Sequence, residues 1–164
     1  MNRLSSSSWR SKVGLVLVVG LVLLLIVVVV SYITAQFKPT TQVTIGSGVY
    51  KLWVVDTEKG REQGLSGVKS LEPNGGLLMK FDTSDTWGIW MKDMEFPLDI
   101  VWLNENGKVV YIVEDAQPES PAQTVYLPKK DARYVVELMA GNVKRASIKE
   151  GSQARFEENG VMIQ

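Results

Sequence analysis

Residues 13–37 carry no charge, and residues 13–30 are Val, Leu, Ile and Gly throughout. At a rise of about 1.5 Å per residue, roughly 20 such residues cross a bilayer core. Backbone in hydrocarbon must satisfy its own hydrogen bonds, so this segment is predicted to be one helix despite its many β-branched residues. Beyond residue 41 the apolar positions recur mostly every second residue, the period of strands. Val43–Ile45 and Val49–Val55 flank Gly46-Ser47-Gly48 and predict a hairpin. Residues 57–63 are polar and predict a short helix, with Asp56 or Thr57 as cap and Gly64 as stop. Strands are predicted at 76–81, 86–91, 98–103, 108–114 and 134–139. Asn104-Glu105-Asn106-Gly107 forms a hairpin turn between the third and fourth of these. Residues 114–128 hold Pro118, Pro121 and Pro128 and read as a long surface loop. Residues 142–148 suggest a helical turn, and 153–157 pairs with 161–163 across Asn159-Gly160. The expected fold is mainly β, barrel-like or sandwich-like, with one or two short helices. It is preceded by a single N-terminal transmembrane helix.

This pattern divides the chain into four parts. Residues 1–12 form a basic cytoplasmic N-terminus and 13–35 a transmembrane signal anchor. Residues 36–41 form a linker and 42–164 an extracytoplasmic β domain. Arg3, Arg10 and Lys12 precede the span, and only Lys38 follows closely, so the positive-inside bias places the domain outside the cell membrane. Trp9 and Tyr32 fall near the two ends, where amphipathic rings favour the interface. Cleavage after Ala35 is the competing reading. Ile33 is a poor −3 residue, and the apolar run is longer than a signal peptide needs. Gly14 and Gly20 lack the four-residue spacing of a helix-dimer motif, which makes the span a tether.

The formal charge of zero conceals a split. Residues 1–35 sum to +3 and the remainder to −3. A mildly acidic body without a clustered basic face excludes nucleic acid as a partner. The chain has no His and no Cys. Catalysis by Ser-His-Asp or Cys-His, Cys/His zinc sites, disulfides and thiol redox chemistry are thereby excluded. No cofactor and no metal are expected, and the oligomeric state is not legible.

Two carboxylates stand in apolar company. Asp99 lies in Leu98-Asp99-Ile100-Val101-Trp102-Leu103, where both alternating faces are apolar. Glu137 lies in Tyr134-Val135-Val136-Glu137-Leu138-Met139 and shares a face with Val135 and Met139. A buried carboxylate needs a cation, several N–H donors or a proton. Asp99 and Glu137 either form a polar site with Lys92 as partner, or cap loop N–H groups and serve structure. Trp87, Trp90 and Trp102 could provide an aromatic platform, but alternation over 86–91 puts Trp87 and Trp90 on opposite faces and favours core. Ser66-Gly67-Val68-Lys69 has the spacing of a Ser/Lys nucleophile, yet its glycines argue for a turn instead of a helix.

An ordered set of motifs then emerges: Gly64-Leu65-Ser66-Gly67, Gly76-Leu77-Leu78-Met79, Trp90-Met91-Lys92, Phe96-Pro97-Leu98-Asp99 and Glu137-Leu138-Met139-Ala140-Gly141. Together they resemble the uncharacterised conserved membrane protein family known as domain of unknown function 192, over residues 43–163. The resemblance implies a compact, mainly β, barrel-like domain, often exported or membrane-tethered, and implies no activity. It places Trp90, Lys92, Asp99 and Glu137 inside the family's own motifs.

The function expected first is a non-catalytic, membrane-anchored module binding a small polar ligand, a glycan or a peptide through Trp90, Lys92, Asp99 and Glu137. A carboxylate-based or metal-assisted hydrolase using Asp99 and Glu137, and a structural subunit of an envelope complex, are the alternatives.

Overall fold

A computed structural model describes residues 6–36, 39–119, 124–158 and 161–163. The chain divides between Lys38 and Pro39 into two compact units.

The first unit is one helix, α1 (Ser6–Gln36). Its stretch Lys12–Ser31 has a mean hydropathy of 3.6 and is long and apolar enough to cross a membrane; a signal sequence has the same properties. Every described side chain in this stretch is exposed, as expected of a helix whose apolar surface has nothing in its own unit to pack against. The side chains of Trp9 and Tyr32 lie outside the described residues.

The second unit is mainly β. Its strands are β1 (Thr40–Ile45), β2 (Gly48–Val55), β3 (Gly75–Asp85), β4 (Ile89–Trp90), β5 (Leu98–Leu103), β6 (Val109–Ala116), β7 (Val125–Tyr126), β8 (Ala132–Met139), β9 (Ala154–Glu158) and β10 (Val161–Ile163). Two short helices, α2 (Glu58–Gln63) and α3 (Asn142–Arg145), complete it. Eight strands form one sheet in the order β10-β9-β1-β2-β3-β8-β5-β6, while β4 and β7 pair separately. The hairpins at Gly46–Gly48 and Asn104–Gly107 form as their turn residues dictate. Asn104 Oδ1 accepts from the backbone N–H of Asn106 and Lys108, at 3.0 and 2.9 Å. Strands β2 and β3 are parallel, so the chain must cross over between them, and α2 lies in that crossover. Thr57 caps α2, its Oγ1 accepting from the Gly60 N–H at 3.1 Å.

The sheet is a half-barrel, in keeping with the mainly β fold expected. Among the described residues its ends meet around one bridge, Lys108 with Gln153, supported by Val109 N–H to Ser152 O and Ala154 N–H to Gly107 O. No continuous ladder joins β6 to β9 among the described residues. Two corrections concern lengths. The strand expected at 86–91 shrinks to Ile89–Trp90, because Asp85 and Thr86 turn the chain and the N–H of Trp87 bonds back to Asp85 O. The loop expected at 114–128 is shortened by β6 running to Ala116 and by β7; residues 120–123 and the Asn159-Gly160 turn lie outside the described residues.

Both faces of the sheet are covered. On the inner face Val43, Ile45, Leu52, Leu78, Val101, Leu103, Val136 and Leu138 meet across the curl, and Val143, Ala146 and Ile148 plug one end. On the outer face Leu77, Met79, Phe81, Leu98, Ile100, Trp102 and Val135 are roofed by Leu65, Ile89 and Met91 from the connecting segments. This double covering is why β5 is buried at every position.

Candidate functional site

The four residues singled out from sequence do not form one site. Strands β5 and β8 are antiparallel neighbours with Ile100 opposite Glu137 and Asp99 opposite Leu138. This register sends the two carboxylates to opposite faces. Asp99 points inward and is 1 % exposed. Its Oδ1 accepts from the N–H of Asp115 at 3.0 Å, and its Oδ2 from the N–H of Val143 at 2.8 Å. Val143 lies in the first turn of α3, so Asp99 caps that helix from a neighbouring strand. Asp115 has φ +54°, and Asp99 thus also secures a left-handed residue at the end of β6. Asp99 and Arg145 both bear on Tyr50: burial pushes its hydroxyl pKa up, Arg145 lowers it and Asp99 raises it.

Glu137 points outward into a different environment. It is 3 % exposed, and its strand neighbours are Leu77 and Ile100. Burial pushes its pKa up to about 8. The Oε2 atom has no hydrogen-bond partner in the protein. Glu137 is among the residues lining a cavity of about 410 Å³, within the size range of small-molecule sites. Lys92 does not reach it. That side chain is exposed, lies outside the cavity lining, and holds its Nζ 5.8 Å from the centre of the Trp90 ring.

Four segments join Glu137 of β8 in lining the cavity. Helix α2 supplies Glu58, Arg61 and Glu62, and the turn after it supplies Gly64, Leu65 and Ser66. Strand β3 supplies Met79 and Phe81, and the segment through β4 supplies Trp87 to Trp90 and Met94. Phe81 stacks on Trp87 with centroids 4.4 Å apart and planes 8° from parallel. Arg61 lies 4.9 Å over Phe81 and donates to the backbone oxygens of Asp56 and Lys80, the latter at 2.7 Å. Trp87 is fixed twice more. Its Nε1 donates to Thr83 O at 3.1 Å, and its own carbonyl accepts from Trp102 Nε1 at 2.8 Å. Trp90, 39 % exposed, lines the cavity while reaching solvent.

The turn over the carboxyl is locked to the opposite wall. Ser66 Oγ donates to Lys92 O at 2.7 Å, and the Gly67 N–H to Asp93 O at 3.0 Å. Ser66 is therefore a turn residue, and Lys69 points away, its exposed Nζ 4.0 Å from Glu95. Gly64 ends α2 with φ +50° and ψ −125°, where a Cβ would sit 3.3 Å from Met79 Cε and 3.9 Å from Glu137 Oε2. Glycine there lets the turn close over the carboxyl.

Sequence reasoning named Trp90 and Glu137, which line the cavity, and missed Phe81 and the α2 residues. It also set Trp87 and Trp90 on opposite faces. That inference needed a regular strand over 86–91, which is absent. The available signal was three aromatic residues, at 81, 87 and 90, spaced too irregularly for one strand face. Among the described residues no group of three or more carboxylates could hold a metal ion.

The family model DUF192, described as an uncharacterised ACR, matches residues 41–156. The chain belongs to the DUF192 family. Among solved structures it resembles a proposed transcription regulator from Sinorhizobium meliloti 1021. The identity is 26 %, the TM-score 0.69, and the match covers 73 % of this chain and 95 % of that one. A protein of unknown function from Novosphingobium aromaticivorans DSM 12444 shares the fold at 24 % identity, with a TM-score of 0.65 over 71 % of this chain and 84 % of that one. No curated protein matches the chain.

Proposed function

We propose that this DUF192 domain is a non-catalytic binding module, and that its ligand is a small molecule or end-group seated in the aromatic-walled cavity above Glu137. One observation carries the reading: Glu137, a buried residue whose Oε2 has no protein partner, lines an open cavity. Buried polar atoms in folded proteins are almost always hydrogen-bonded, so an orphan on a cavity-lining residue is explained by a partner from outside. The stacked Phe81 and Trp87 supply rigid apolar contact at little entropic cost. Lys92 and Asp99 serve this reading indirectly. Lys92 flanks Trp90, and Asp99 holds the α3 end of the domain.

A two-carboxylate hydrolase finds less support, because the second acid, Asp99, is on the other face with both oxygens bonded to backbone N–H groups. The regulatory role proposed for the Sinorhizobium protein is not carried over, since the net charge of −3 over residues 36–164 disfavours DNA. We further propose that α1 anchors the domain outside the cell membrane by a single pass, with the N-terminus cytoplasmic. The +3 charge ahead of the span supports that orientation.

Screening a fragment library while following the indole N–H signals of Trp87 and Trp90 tests the binding site. Fragments that shift both signals in the parent and lose affinity in Trp90→Ala are expected. A library that moves neither indole removes the cavity as a binding site. Mass spectrometry of the membrane-extracted protein tests the anchor, and a mature N-terminus at Gln36 would contradict it.

A further inference from the structure

The ligand class can be narrowed, on the premise that the cavity binds a ligand at all. The charged groups lining the cavity beside Glu137 are Glu58, Arg61 and Glu62, all from α2; β3, the Gly64–Ser66 turn and the Trp87–Met94 segment contribute none. Arg61 is engaged by two backbone oxygens and by the Phe81 ring, so its charge is tied to that wall. With Arg61 counted, the two α2 glutamates still leave the lining net negative, more so once Glu137 is ionised. The walls are aromatic faces, which attract cations through their quadrupole, most strongly when desolvated. Trp90 already shows this behaviour with Lys92 Nζ at its ring.

We propose that the cavity takes a primary alkylammonium group, its chain lying against Phe81, Trp87 and Trp90 and its nitrogen donating to the Glu137 carboxylate. Three features fit that cation together. The acceptor is a carboxyl oxygen with no competing donor. Glu58 and Glu62 add attraction from the α2 side. Leu65, Met79 and Ile89 offer the alkyl chain an apolar surface.

The reaction is an exchange of cations. The ammonium enters, the carboxyl proton leaves to solvent, and no covalent bond forms or breaks except that O–H bond. With the Glu137 pKa at about 8, each ligand bound near neutral pH releases close to one proton. A neutral ligand accepting a hydrogen bond from the protonated carboxyl would show the opposite dependence.

The experiment titrates the full chain in detergent with n-butylammonium and with butan-1-ol between pH 6 and pH 9, following the Trp87 and Trp90 indole signals. The amine stays charged over this range, as a lysine side chain does. Its affinity should rise about tenfold per pH unit up to the Glu137 pKa and level off above it. At pH 8.5 it should exceed that of butan-1-ol at least ~10-fold, as one desolvated cation–π or ion-pair contact supplies. Glu137→Gln should remove both the slope and the preference. Equal or tighter binding of the alcohol, or affinity for the amine that falls with pH, overturns the cation assignment while leaving the cavity as a binding site. Wild-type pH dependence decides the matter even if Glu137→Gln fails to fold. Failure of both probes to move either indole, with no fragment hits, overturns the binding site itself.

Discussion

Asp99 and Glu137 lie on adjacent strands, and their carboxylates leave the sheet in opposite directions. One is fully bonded to two backbone N–H groups, and the other has an oxygen with no protein partner. Two residues that look alike in sequence therefore do opposite work, one holding the fold and the other facing a cavity. The difference can be measured.

Asp99→Asn should destabilise the domain by ~2–3 kcal/mol. An amide can accept only one of the two bonds, and its NH2 would face an N–H donor. Urea denaturation of the parent and variant checks this, and ligand-induced shifts at Trp87 and Trp90 should survive in the variant. A change below about 0.5 kcal/mol would show that Asp99 does not secure α3 and Asp115.

Glu137 makes stability depend on pH in a defined direction. Its pKa rises from 4.5 to about 8 on folding, so between these values the folded state holds the proton that the unfolded state has lost. Stability is therefore full below about pH 4.5, falls as pH rises, and levels off above about pH 8. The full span is on the order of 5 kcal/mol as an upper bound. Glu137→Gln should flatten this slope. Denaturation midpoints at pH 5, 7 and 9 test it, and parallel slopes in the two proteins would refute the assignment.

Gly64→Ala should cost ~1–3 kcal/mol, because φ +50° with ψ −125° is accessible essentially to glycine alone. The added methyl would also press on Met79 Cε beside the carboxyl. Loss of fragment binding out of proportion to the loss of melting temperature is the expected signature.

The tryptophans should separate cleanly. Trp90→Ala should change stability by no more than ~1 kcal/mol, since the ring is partly exposed, yet abolish binding. Trp102→Phe should cost ~2–3 kcal/mol, because the ring is fully buried and its Nε1 bond to Trp87 O is lost. Calorimetry of both variants checks the contrast, and similar losses of stability in the two would contradict it.

Much of the fold was legible because its signals are local. Gly46–Gly48, Asn104–Gly107 and the Thr57–Gly64 cap and stop act over a few residues, and each forms where its chemistry requires. The burial of Asp99 and Glu137 was legible too, since apolar neighbours on both sides leave little alternative. What no local pattern contains is the register between β5 and β8. Alternation assigns faces within each strand, but only the pairing of Ile100 with Glu137 separates the two acids. The cavity was hidden for the same reason. Phe81, Trp87 and Glu62 come together through the parallel β2–β3 crossover and the fold-back at Asp85, long-range events that the periodicity of either segment does not encode.

The place of β1 in the sheet order has a mechanical consequence. This strand, the first after residues 37–38, is hydrogen-bonded to β2 on one side and β9 on the other. A pull transmitted along the chain from α1 meets the β2 ladder at Thr40 and both ladders from Gln42 onward, so the strand is not peeled away like an edge. Strand β10 is bonded to β9 alone among the described residues and can unzip by itself. The domain thus resists force at the strand that follows the apolar helix and yields first at β10.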